Sequence, residues 1–225
     1  MISIDIDWMQ LWSPIRLSLQ VAAISSVLST CCGIFFAWRM SISRFPGKVI
    51  VETLFMLPLV LPPTVIGFLL LVFLGRNSWV GQVIESIFSS SIIFSWGAAV
   101  IASVVVSFPL VYQTMKTGIQ AIDTSLMDAA RSHGANEWQL FRYVTLPLTL
   151  PSVMTAYILS FARSLGEFGA TLMIAGNIPG KTQTVPTAIF VAVESGNMTM
   201  AWLWTISIII ISFLLLLLTR MKKSG

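Results

Sequence analysis

Charge is scarce in this 225-residue chain: Asp, Glu, Lys and Arg make up 10% of it, against about 25% in an ordinary soluble domain. With one histidine, His133, a multi-histidine metal site is excluded. There are two cysteines, Cys31 and Cys32. They are adjacent inside an apolar run, where vicinal thiols rarely bridge, and they read as small membrane-buried hydrophobes. No basic tract is present, so the pI near 9.4 does not point to nucleic acid. No cleavable signal peptide is expected either: the first long apolar run begins near Leu17, is too long for a signal core, and has no basic segment before it. What is abundant is apolar side chain, at 56% of residues with a mean hydropathy of +0.88. The expectation is an all-α integral membrane protein forming a single domain over residues 1–225.

A transmembrane helix needs about 20 mostly apolar residues. Five runs qualify: Leu17–Trp38, Leu54–Leu74, Ile92–Tyr112, Ser152–Ala175 and Ala201–Thr219. A sixth, Val185–Val193, is too short to cross unless it does so with its neighbours, and otherwise reads as re-entrant or interfacial. Five spans are therefore expected, or six if that piece crosses. Lys and Arg concentrate on the cytoplasmic side of membrane proteins. With the polar loop around Asp123 placed inside, Arg39, Arg44, Lys48, Lys116, Arg131, Arg142, Arg220, Lys222 and Lys223 are cytoplasmic, and Arg16, Arg76 and Lys181 are outside. That is nine against three, with Arg163 inside a span. The N-terminus is then external and the C-terminus cytoplasmic. Trp12, Trp38, Trp79, Trp96, Trp202 and Trp204 fall near span ends, where indole prefers the interface. Trp138 falls in the loop.

The second span holds Pro58, Pro62 and Pro63. Each deletes a backbone donor and clashes with the preceding turn. A broken helix survives in a membrane where protein or a water-filled cavity repairs it, so this span is either a kinked packing helix or one that lines a pathway.

The polar loop, about residues 116–150, collects charge that the rest of the chain lacks. Ser125–Ser132 is expected to be helical around Ala129 and Ala130. Asp123 or Thr124 can cap its start, and Gly134 stands where a left-handed residue is commonly needed. Asn136 can cap a second short helix over Glu137–Tyr143, which Leu146-Pro147 ends. The result is a helix, a sharp turn and a helix at the membrane surface. Such an element is rigid enough to transmit a push, and its small alanines let a partner come close.

Asp128-Ala129-Ala130, three residues, Gly134, nine residues, Val144, one residue, then Leu146-Pro147 resembles the cytoplasmic "EAA" loop of ABC importer permeases. Asp128 stands for Glu and Val144 for Ile. The segments Ser160–Thr171, Ala175–Pro186 and Leu57–Gly67 resemble the molybdate permease family. Sulfate permeases are similar, but Ser164 and Phe168 favour molybdate; tungstate permeases are not separated from it. The resemblance covers most of residues 50–190. It implies the MetI-like fold of ABC importer permeases and the inner-membrane permease subunit of a binding-protein-dependent importer in a bacterium. Its implied partners are a second copy of itself, two copies of an ATP-binding subunit, a periplasmic oxyanion-binding protein and the lipid bilayer, with no nucleic acid. No cofactor is implied on this chain, since ATP is used by the partner subunit. Five helices are few for enclosing a gated path, which agrees with a homodimer.

Arg163 and Glu167 lie four residues apart and share a helix face, about 6 Å apart along the axis. Charges within spans are expensive and face the bundle interior. They read as a structural or gating pair, with Gly166 and Gly169 allowing close helix packing, or with Arg163 facing the pathway. Ala175–Thr182 fits a relaxed phosphate-loop pattern, but a span precedes it and Pro186 follows, so it reads as an external loop. The chain is therefore expected not to be an enzyme. A stand-alone secondary transporter would not require a docking loop of this spacing. An intramembrane enzyme would require a nucleophile with its base, or a metal cluster.

Overall fold

The computed structural model describes residues 8–221, and among these the chain is helical with no strand. Three helices are long and apolar enough to cross a bilayer: α1 (Trp8–Ile42), α5 (Trp96–Gln120) and α12 (Met198–Met221). Two bent pairs bring the total to as many as five spans. Lys222 and Lys223, used above for orientation, lie outside the described residues. At 35 residues, α1 is about 52 Å long and overshoots a hydrocarbon core of about 30 Å.

The centre of the bundle is α1, α5 and α9 (Leu150–Leu165). Val21 packs near the start of α5, while Ala37, Trp38 and Met40 pack near its end, so α1 and α5 run in the same direction. α9 runs the opposite way, because Gly118 faces Ser152 and Ser160 Oγ donates to Ser107 Oγ at 3.1 Å. Small polar side chains fill these seams: Ser25, Ser26, Ser29, Ser103, Ser107 and Ser160 are each at most 1% exposed. In lipid no hydrophobic force separates helix from solvent, so small residues that admit close backbone approach hold the helices together.

The expected second span is not one kinked helix. It is α2 (Lys48–Val60) and α3 (Pro63–Leu74), bent by 116°. Leu61 and Pro62 between them are extended, with ψ of 142° and 137°. Pro63 at the first turn of α3 lacks the donor a helix interior requires, so the break falls where sterics place it. Pro58 lies within α2 and does not form the break.

The expected span Ser152–Ala175 is likewise interrupted. α9 ends at Leu165, and α10 (Gly169–Ala175) follows after Gly166–Phe168. Both segments head for the same end of the bundle, since Ile174 O accepts from Phe94 N, just before the start of α5. α10 packs on α3 with almost no clearance. A Cβ on Gly67 would lie 2.6 Å from Met173 Cβ and 2.9 Å from the Cα and carbonyl oxygen of Ala170. Gly67→Val should therefore lower the thermal midpoint of the detergent-solubilised protein. Overpacking of about 1–3 kcal/mol corresponds to several degrees in a chain of this size. An unchanged midpoint would mean that α3 and α10 can part without cost.

α11 (Val185–Glu194) has ten residues and is about 15 Å long, half of what a crossing needs. It packs against α12 and α1 through Val185, Ala188, Trp204 and Ile15. One helix has no counterpart among the sequence expectations: α4 (Trp79–Phe88), on the segment between α3 and α5, capped by Ser78 Oγ accepting from Gly81 N at 2.8 Å.

Candidate functional site: a docking element and a broken-helix junction

At the end of the bundle where α5 stops, the chain turns through Ala121–Asp123 into α6 (Thr124–Ser132). Asp123 caps α6 by accepting from Ser125 N at 2.9 Å. That amide holds the carboxyl below the usual aspartate range, so the cap is charged at neutral pH. Gly134 then takes a φ of +84°, a conformation glycine adopts without strain. Asn136 and Gln139 form a reciprocal capping box at the start of α7 (Glu137–Leu140). The expected second helix runs on rather than ending at Leu146-Pro147. A π-helical turn, Phe141–Thr145, leads into α8 (Leu146–Leu148), and α9 follows at Leu150. The π turn absorbs the extra residue just ahead of Pro147, which has no N–H to give.

Two contacts fix this element to the bundle and to itself. Arg131 bridges Asp128 and Glu137, each at 3.1 Å, joining α6 to α7. Trp138 meets Trp38 and Phe141 with ring centroids 5.9 and 5.5 Å apart, and Trp38 lies 4.6 Å from Phe141. The isolated tryptophan of the loop thus anchors α7 to the end of α1.

The structure brings Ala130, Gly134 and Val144 together, although fourteen positions separate the first from the last: all three line one open cavity of about 390 Å³, with His133, Gln139 and Tyr143 among its walls. Asp128 and Ala129 are exposed on α6. Leu146 and Pro147 sit apart from the cavity, on α8.

The second set of residues meets around the broken helices. Glu167 is 2% exposed. Its Oε2 lies 2.7 Å from Arg163 Nη1, and its Oε1 accepts from Ala170 N at 2.9 Å. One carboxylate therefore pairs with the cation of α9 and satisfies a free amide at the start of α10. A Cβ on Gly169 would lie 3.2 Å from Pro63 Cβ and 3.3 Å from Thr64 N. The proline break of α2–α3 thus abuts the Arg163–Glu167 junction. Gly166 does not contribute to close packing as expected: only Ala162 O, at 3.9 Å, would be near its Cβ. Its backbone is unremarkable at φ −92°, so Gly169 alone makes the close approach.

The phosphate-loop look-alike is folded on itself. The amides of Lys181, Thr182 and Gln183 all donate to Ile178 O, and Ile178 N donates to Thr182 Oγ1 at 3.0 Å. Those amides are occupied and cannot cradle a phosphate. No cluster of three or more metal-ligating side chains occurs among the described residues.

Sequence reasoning missed one charged group. Glu52 on α2 lies 2.9 Å from Lys116 Nζ on α5, and Tyr112 OH donates to its other oxygen at 3.2 Å. The only signal in the sequence was an acidic residue at the edge of a span, with no indication of its distant partner.

Residues 29–222 match the family described as binding-protein-dependent transport system inner membrane component. The chain is 53% identical to the Putative molybdenum transport system permease protein YvgM of Bacillus subtilis, over 96% of this chain and 95% of that one. It is 44% identical to the Molybdenum transport system permease protein ModB of Escherichia coli, over 82% and 80%. Against the Sulfate transport system permease protein CysW of Synechococcus elongatus the identity is 37%, over 84% and 65%. Among solved structures, the inward-facing MetNI methionine ABC transporter superposes with a TM-score of 0.70 at 18% identity, covering 95% of this chain and 96% of that one. A bacterial alginate ABC transporter in complex with a pentasaccharide-bound periplasmic protein gives 0.72 at 16% identity, over 93% and 76%. The all-helical fold is thus that of ABC importer permeases, and this chain belongs to the family of binding-protein-dependent transport system inner membrane components.

Proposed function

We propose that this chain is the permease subunit of an ATP-driven importer that carries molybdate into the cytoplasm. The observation that carries the reading is the α6–α7 element. It is capped at both helix starts, turned by Gly134 and tied by Trp138 to α1, and in the loop pattern of the family it is the socket for an ATPase. The substrate follows from the higher identity to molybdenum permeases than to the sulfate permease.

In this reading two copies enclose the path, and an ATP-hydrolysing subunit docks under each α6. A periplasmic protein delivers the oxyanion to the opposite face. The N-terminus is external, the C-terminus is cytoplasmic, and residues 1–225 act as one domain. Asp128, Ala129, Ala130, Gly134, Val144, Leu146 and Pro147 form the coupling loop. The α2–α3 break at Pro62 and Pro63, with Pro58 below it, lines the path; Arg163 and Glu167 gate it, with Gly166 and Gly169 at the turn. A bare dianion cannot enter hydrocarbon, where isolated charge costs many kcal/mol. The path must be wet and its gate driven by the partner's ATP. No cofactor is needed on this chain. A broken helix pair whose open backbone cannot face lipid suits a path lined by two copies.

The test is uptake of labelled molybdate in cells lacking their own molybdate permease, with and without this chain and its candidate ATPase. Uptake that needs both and is competed by tungstate but not by sulfate is expected. Competition by sulfate would move the substrate to the sulfate class. Uptake without the ATPase would overturn the importer reading in favour of a stand-alone transporter.

A further inference from the structure

The two arms of the broken helix are held very differently. α3 is pinned by the glycine contacts to α10, whereas α2 has no buried residue. Partly buried apolar contacts and one ion pair hold α2 to the bundle. The apolar contacts are made by Val51, Met56 and Phe55, the Phe55 ring lying 5.1, 5.4 and 5.2 Å from those of Phe36, Phe108 and Tyr112. The ion pair is that of Glu52, which reaches Lys116 at 2.9 Å and accepts from Tyr112 OH at 3.2 Å. Both side chains of the ion pair are mostly covered, at 27% and 20% exposed. Lys116 is one turn before the end of α5 at Gln120, and α6 begins four residues after that end. Arg39 and Lys48 are further cations near this end of the bundle, and Lys48 Nζ is engaged by Ser43 O at 3.2 Å.

We infer that Glu52 is a positioning residue: its bond to Lys116 ties the loosely held arm α2 to the helix that carries the docking element. A displacement of α6 then moves α2 about the extended Leu61–Pro62 joint while α3 stays with α10. This rests on the importer reading for its consequence, though not for its geometry. Apolar contacts alone tolerate sliding, whereas a charge pair with a third hydrogen-bond partner has one register.

The test uses Glu52→Gln, Lys116→Gln and the reversal Glu52→Lys/Lys116→Glu. The first readout needs no substrate. A nitroxide at Val49→Cys, with Cys31 and Cys32 replaced by alanine, reports the mobility of α2 in the reconstituted complex. Either single change should mobilise the label, and the reversal should restore the original line shape. A line shape indifferent to all three overturns the inference. The second readout is molybdate moved per ATP hydrolysed. It should fall about 5-fold or more in the single variants, the size of an ordinary coupling term, and recover in the reversal. A pair that merely stabilises would reduce the amount of complex and leave the ratio unchanged, which also overturns the inference. If the unmodified complex hydrolyses ATP but moves no molybdate, the substrate reading fails, and the line shape still decides the role of Glu52.

Discussion

A complex carrying Arg163→Ala together with Glu167→Gln should assemble, hydrolyse ATP and import no molybdate. The double change is the informative one because of where the two charges sit. Glu167 is 2% exposed, while the Arg163 side chain is 30% exposed. Arg163→Ala alone leaves a buried carboxylate without its cation, which costs about 3–5 kcal/mol, so lost uptake in that variant would be confounded by lost protein. Glutamine at 167 removes the charge but keeps a side-chain oxygen for Ala170 N, so the start of α10 stays capped. The double variant thus separates the structural duty of the pair from its duty to the path. If a normally assembled double variant imports molybdate at the original rate, the pair serves packing alone. If it assembles, hydrolyses ATP and imports nothing, the Arg163–Glu167 pair acts on the path.

The sequence carried those elements whose causes are local. The capped α6, its glycine turn and the start of α7 follow from Asp123, Gly134 and Asn136, each of which fixes its own few residues of backbone. The break at Pro62-Pro63 was legible because proline forbids the helix there, but its size of 116° was not, because the angle depends on how α3 seats on α10 through Gly67 and Gly169. The interruption at Gly166–Phe168 was hidden inside an apolar run. Hydropathy cannot distinguish a continuous span from two helices joined by a buried carboxylate. α4 went unread because ten residues are too few for a span. Yet Ser78 is a good cap, and Trp79, Val80, Val83, Ile84 and Ile87 recur at helical spacing. Glu52 and Lys116 are 64 positions apart, and no period or motif connects residues so distant.

Ala129→Trp should reduce uptake at least about 10-fold, equivalent to some 1.4 kcal/mol of lost docking, while the permease itself stays folded in the membrane. α6 has no buried residue, so its surface does nothing for the core, and tryptophan is tolerated in a helix at a cost of a few tenths of a kcal/mol relative to alanine. What changes is the outward face. Leu126 is 50% exposed. Ala129, Ala130 and His133 follow it at spacings of three, four and seven, so the four share one side of the helix. A bulky ring there holds a partner surface several ångströms away, and contacts that depend on close packing fall off steeply with such a gap. Arg131→Ala is the control from the same helix. Its bridges to Asp128 and Glu137 join side chains that are 42–72% exposed, and pairs of that kind contribute about 0–1 kcal/mol. Uptake in Arg131→Ala should therefore stay within about 3-fold of the original. The ATPase subunit should co-purify with Arg131→Ala and be lost from Ala129→Trp. If instead Ala129→Trp retains the ATPase and full uptake, the partner does not seat on this face of α6, and the docking surface must be sought in the cavity wall formed by Gln139 and Tyr143.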